Sequence, residues 1–151
     1  MKSYIISKNR KANFNYTIEE SIETGIMLLG SEVKSLRTQS CSISEGHIYQ
    51  DKGELWLAGV NIPIYKKTAK PEHDPCRLRK LLLHKKEISR LATKLKTKGV
   101  AIIPISIYSN ERGKIKVKIA LGKGKKIYDK RQDIKKRDWE REKSRILKDA
   151  K

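Results

Sequence analysis

The chain has 151 residues and a formal charge of +19, from 36 Lys and Arg against 17 Asp and Glu. That length suits one domain with a real core and an appendage, and the charge is far beyond what solubility requires. A polyanionic partner is implied, nucleic acid first, while no segment has the apolar length of a membrane-spanning helix. The opening MKSYIISKNRKANF carries no apolar export segment, so a cytoplasmic location without membrane contact is expected.

In chain order, Phe14, Tyr16 and Ile18 alternate with Asn15 and Thr17, the period of a half-buried strand. The run continues through Ile22 to Gly30, and its glycines suggest a bend or bulge. Ser31 is placed to cap a short helix, SEVKSLRTQ, with Val33 and Leu36 facing inward together. HIYQDKGELWLAGVNI reads as a hairpin turned at Asp51-Lys52-Gly53. Pro63, Pro71 and Pro75 bound an irregular loop. In KKEISRLATKLKTKG, Ile88, Leu91, Ala92 and Leu95 recur at helical spacing, and Gly99 ends the helix.

A second hairpin, VAIIPISIYSNERGKIKVKIALG, turns near Asn110 to Gly113. On its return strand Ile115, Val117, Ile119 and Leu121 point to one side and Lys114, Lys116 and Lys118 to the other. These elements suit a mainly β fold: a small antiparallel β-barrel of the oligonucleotide-binding type with accessory helices. Residues 1–122 form that body, and residues 123–151 a basic tail too polar to fold by itself. The tail holds 13 basic and 6 acidic residues and the body 23 and 11, so each is cationic in its own right.

The lysine ladder is either the solvated face of an edge strand or, with lysines about 7 Å apart, a track for RNA phosphates. The surplus charge favours the track. Arg77, Arg79 and Lys80, ahead of Leu81, Leu82 and Leu83, are a further candidate contact. His47, His73 and His84 are dispersed and read as satisfied or surface histidines. Cys41 and Cys76 read as ordinary thiols without metal-type spacing, so no metal or cofactor is expected. In GKGKK, Gly122 and Gly124 either let the backbone approach a phosphate beside Lys123, Lys125 and Lys126 or form a hinge into the tail. Tail residues Ile134, Trp139, Ile146 and Leu147 make only a thin helical stripe, so the tail is either purely solvated or folds on RNA with Tyr128 or Trp139 stacked on a base.

Four blocks, NRKANFNYTIEESIETGI, GSEVKSLR, CRLRKLLLHKKEI and GKGKKIYDKR with RDWEREKSR, resemble the SsrA-binding proteins, the small protein B family of bacterial trans-translation. The resemblance spans nearly the whole chain. It implies a barrel that binds the tRNA-like domain of transfer-messenger RNA, and a tail that is disordered when free. It also implies delivery of alanylated transfer-messenger RNA, with elongation factor Tu, to stalled 70S ribosomes. There the tail becomes helical in the vacant mRNA channel and decoding centre, against 16S rRNA. Glu23, Leu82 and Lys116 match the family's RNA-binding positions. Asp129, Lys130 and Arg131, with Gly124, Lys125 and Lys126, match its tail motif, and Trp139, Ile146 and Leu147 fall in the ribosome-facing segment. On this reading the protein is a non-enzymatic adaptor. The alternative is a small RNA-processing enzyme using His84 or Glu23 as general acid or base.

Overall fold

The computed structural model describes residues 2–65, 73–125 and 127–149. Seven strands make one antiparallel sheet: β1 (Tyr4–Lys8), β2 (Tyr16–Ile26), β3 (His47–Asp51), β4 (Glu54–Ala58), β5 (Arg79–Leu82), β6 (Val100–Ser109) and β7 (Ile115–Gly124). Their order is β1-β6-β3-β4-β5-β2-β7, and an additional pairing of β6 with β7 closes six of them into a ring. Closure removes the exposed edges of an open sheet. The helices are α1 (Ala12–Asn15), α2 (Gly30–Thr38), α3 (Lys85–Leu95) and α4 (Ile127–Asp149). This is the mainly β, antiparallel and ring-closed architecture with accessory helices that the strand patterns predict.

Alternation builds the interior. On β7, Ile115, Val117, Ile119 and Leu121 are buried and join Leu55, Leu57, Leu81, Ile102 and Ile107 in one core, while Lys118 is exposed. Between β3 and β4, Lys52 and Gly53 both take positive φ, 50° and 76°, as a two-residue hairpin turn demands. Between β6 and β7, the Asn110 side chain accepts the Arg112 and Lys114 amides at 3.0 and 2.9 Å. Leu91 and Ala92 of α3 are buried, and Ile88 and Leu95 pack at the edge of the core. Gly99 follows with φ 83°.

Three local expectations are corrected. Phe14 lies in α1, not in a strand, because the Phe14 and Asn15 amides turn back to the Lys11 carbonyl at 3.2 and 3.0 Å. Tyr4–Lys8 is a strand that the sequence patterns did not mark. Ser31 is no cap: the cap position of α2 is Leu29, whose amide donates to Glu32 Oε1 at 2.9 Å. The inward face of α2 is Ser31, Glu32, Ser35 and Leu36, with Val33 only half-buried. Ser31 faces the buried His73, whose Nε2 lies 3.0 Å from the Ile62 carbonyl and must donate to it. His73 Nδ1 is therefore the acceptor for the Ser31 hydroxyl at 2.9 Å, so this histidine is satisfied. His47 and His84 are exposed. Pro71 lies outside the described residues.

The GKGKK segment begins inside the sheet. β7 runs through Lys123 and Gly124, which pair with Thr17 and Tyr16 of β2. A Cβ at Gly122 would sit 2.8 Å from the Cβ of Tyr16. Close packing of Tyr16 therefore requires that glycine, in place of the hinge or phosphate approach read from the sequence.

Candidate nucleic-acid interface

Register brings the key side chains together. Tyr108 of β6 faces Lys116 of β7, Lys116 faces Gly25 of β2, and Gly25 faces Leu82 of β5. Directly opposed residues share a sheet face, so four strands present one row on the outer surface. Gly25 is its saddle: a Cβ there would meet the Leu82 Cβ at 3.2 Å. Leu82 is 48% exposed although it is apolar, standing beside Lys116, which no carboxylate pairs with among the described residues. Isolated exposed leucines are unremarkable, but a leucine beside a cation suits an unstacked base next to its phosphate.

Glu23 lies two residues from Gly25 on the same face and opposite Lys118. The Tyr108 hydroxyl donates to Glu23 Oε2. Burial first, then the hydrogen bond and charge of Glu23, push the Tyr108 hydroxyl well above its ordinary value, so it stays a donor. Among the described residues nothing bonds Oε1 of Glu23, which is left as an acceptor for a base amino group or ribose hydroxyl. Glu23, Lys80, Leu82, His84 and Lys116 all line one cleft of about 540 Å³. The structure thus assembles the Glu23, Leu82 and Lys116 set from strands far apart in sequence. Tyr108 and Gly25 complete the set, and neither carries a sequence motif that would have singled it out for this role.

The Arg77, Arg79 and Lys80 block divides three ways. Arg79 is completely buried, which corrects its assignment as an RNA contact. Its Nε donates to Glu32 Oε2 at 2.5 Å, and its terminal nitrogens donate to the Val60 and Pro75 carbonyls at 3.0 Å. Arg77 Nη2 also reaches Glu32, at Oε1 and 2.5 Å, with its side chain 32% exposed, so its guanidinium is largely committed to the fold. Burial pushes the Glu32 carboxyl up, but the bonds from Arg77, the Leu29 amide and Arg79 outweigh it and hold the group below the ordinary glutamate range. Lys80 faces the cleft paired with Glu54 at 2.7 Å. Lys114 and Lys118 are exposed on the Lys116 side.

β7 takes in Lys123 and Gly124, so the sheet reaches two residues into the segment 123–151 expected as tail. α4 is a 23-residue helix, and Trp139, Ile146 and Leu147 are 64%, 60% and 59% exposed. It meets the body through its first half: Arg137 stacks over the Phe14 ring at 4.9 Å, Lys130 lies at 6.0 Å from it, and Lys125 is paired with Asp133. Cation–π contacts of this kind each contribute about 0.5–1 kcal/mol at exposed sites. Arg131 is exposed, and so is Lys123 at the end of the sheet. The Gly124 amide donates to the Gly99 carbonyl at 2.9 Å. Lys126 and the side chain of Asp129 lie outside the described residues.

Comparison with known proteins places this geometry. The sequence model of the family described as "SmpB protein" matches residues 6–149. An SsrA-binding protein of Wolbachia pipientis subsp. Culex pipiens is 53% identical over 144 residues, covering 95% of this chain and 97% of its own. The SsrA-binding protein of Afipia carboxidovorans is 49% identical over 143 residues, covering 95% and 91%. A solved chain from "tmRNA-SmpB: a journey to the center of the bacterial ribosome" superposes with a TM-score of 0.69 at 43% identity, covering 82% of this chain and 87% of its own.

Proposed function

This chain belongs to the SmpB protein family, and we propose that it is the RNA-binding adaptor that carries transfer-messenger RNA to stalled ribosomes in trans-translation. The single observation that supports this most is the row from Tyr108 through Lys116 and Gly25 to Leu82, with the open acceptor of Glu23 beside it. Lysine and leucine hold a phosphate and an unstacked base, while the carboxylate reads a hydrogen-bond donor that phosphate-seeking lysines cannot. The recognised element is the tRNA-like domain, bound through its shape and its unpaired loops. Elongation factor Tu carries the alanylated RNA in the same delivery complex, in the cytosol.

In this reading the tail is a second unit. Its Lys123, Gly124, Lys125 and Lys126, then Asp129, Lys130 and Arg131, lead into a segment that follows the empty mRNA channel. Trp139, Ile146 and Leu147 face 16S rRNA at the decoding centre. The described side chains of α4 bury almost nothing, and like charges recur four residues apart at Arg137, Arg141 and Arg145, each pair mildly destabilising. A peptide of residues 126–151 is therefore expected to give a largely unfolded circular dichroism spectrum in buffer, with helix appearing on addition of vacant ribosomes. A stably helical free peptide would show that the tail needs no ribosome to fold.

No residue is assigned covalent chemistry, so labelled structured RNA incubated with the protein is expected to remain uncut and unmodified. Lys116→Ala is expected to weaken binding and to flatten the plot of log affinity against log salt by about one, the loss of one phosphate contact. An unchanged slope would return Lys116 to an ordinary solvated lysine.

A further inference from the structure

Leu82 divides two clefts of different charge. In the first, the lysines Lys80, Lys85 and Lys116 are matched by Glu23, Glu54 and Glu87. The second, of about 430 Å³, shares Gly25, Leu82 and Lys116 but contains no carboxylate. Arg37 and Lys114 stand on its rim, and Leu28, Val33 and Ile115 supply apolar lining. Arg37 comes from the last turn of α2, and its Nη2 donates at 3.4 Å to the Gly113 carbonyl. That bond leans the guanidinium over the β6–β7 turn next to Lys114. Among the described residues no carboxylate pairs with Arg37, Lys114 or Lys116, whereas Arg77, Arg79, Lys80, Arg90, Lys94 and Lys125 are all paired.

Unneutralised cations grouped around an apolar recess are costly for the free protein through mutual repulsion. The arrangement fits a ligand with one flat apolar part and one anionic part. The recess lies within the size range of small-ligand sites, and it is continuous with the proposed RNA surface through Leu82 and Lys116. We infer that the second cleft takes one unpaired nucleotide of the RNA strand that crosses Leu82, its base against Leu28, Val33 and Ile115 and its phosphate between Arg37 and Lys114. A base inside a duplex cannot enter such a recess, so the nucleotide must come from a loop or bulge. The two clefts then divide the work: the first, with its carboxylates, reads donors, and the second holds a phosphate and an unstacked base. This inference rests on the proposed RNA-binding function.

The test compares the full-length protein with Arg37→Gln/Lys114→Gln, both sites being exposed. Each is titrated with a tRNA-like RNA at several salt concentrations, with phosphate contacts mapped by ethylation interference and melting temperature as the folding control. At about 0.15 M salt the double variant is expected to bind about tenfold more weakly, with a salt slope flatter by about 0.7, the one single-strand phosphate held between the two cations. Interference is expected to vanish at the phosphate of one unpaired nucleotide and to persist at those assigned through Lys116→Ala. A variant with wild-type affinity and an unchanged map, alongside a weakened Lys116→Ala, would overturn the second cleft and leave the RNA-binding function standing. Loss of interference at duplex phosphates alone would overturn the unpaired nucleotide. Intact RNA contacts with lost binding to poly-glutamate would assign the cleft to an acidic peptide. Wild-type protein that fails to bind the RNA at all would remove both the inference and the function it rests on.

Discussion

Arg79→Met is expected to destabilise the protein by about 3–5 kcal/mol, read as a lowered urea midpoint with an unchanged slope. The guanidinium and its carboxylate partner are both completely buried, so solvent cannot readily take its place. Its removal leaves Glu32, also completely buried, with only Arg77 and the Leu29 amide, and strands the Val60 and Pro75 carbonyls. An unmatched buried charge is the dominant cost, so Glu32→Met combined with Arg79→Met should recover much of the loss. A stable Arg79→Met that loses only RNA affinity would contradict the structural assignment. The pH dependence follows from the same cluster. Glu32 has a folded pKa below its unfolded one, so its contribution is complete above the ordinary glutamate value of about 4.3 and is lost as pH falls through the lower folded value. Glu32→Gln should flatten the acid limb of the stability profile in that window.

Ending the chain after Lys125 is expected to abolish tagging of stalled peptides while leaving the body folded. The cut keeps β7 whole, including the pairing of Gly124 with Tyr16, and preserves the bond from the Lys125 amide to the Asn15 carbonyl at 3.0 Å. No residue of α4 belongs to the described core. What α4 gives the body is the cation–π contacts of Arg137 and Lys130 with Phe14 and the partly buried Lys125–Asp133 pair, peripheral contacts worth little beside the core. A melting temperature close to that of the full chain, together with absent tagging in a reconstituted translation reaction, is the expected pair of results. Tagging at the full-length rate would show that the tail has no essential part.

Much of the fold follows from local signals. The two hairpins are legible because period-two alternation and turn residues such as Gly53 and Asn110 act within a few residues of each other. The helix Lys85–Leu95 is legible from its apolar spacing. Ring closure is a different matter, since the pairing of β2 with β5 joins Gly25 to Leu82 across nearly half of the body, and no local pattern carries that register. β1 escaped because its outward residues Tyr4 and Ile5 are as apolar as an inward face. Phe14 was misplaced because alternation continues across a one-turn helix.

The site was legible to different degrees. Lys116 stands out by alternation alone, whereas Glu23 and Leu82 needed the family resemblance, and their juxtaposition needed the sheet. Burial of Arg79 is not legible in the sequence, because arginines are seldom buried unless paired and its partner Glu32 lies 47 residues away. Arg37 and Lys114 meet only because the end of α2 leans on the β6–β7 turn.

The most direct test of the central claim is a binding titration of the body alone, residues 1–125, against the tRNA-like domain of transfer-messenger RNA and against a plain RNA duplex of equal charge. The predicted result is full-length affinity for the tRNA-like domain, with much weaker, steeply salt-dependent binding to the duplex. Failure of the body to bind, or equal affinity for both RNAs, would contradict an outer sheet face built to grip one folded RNA.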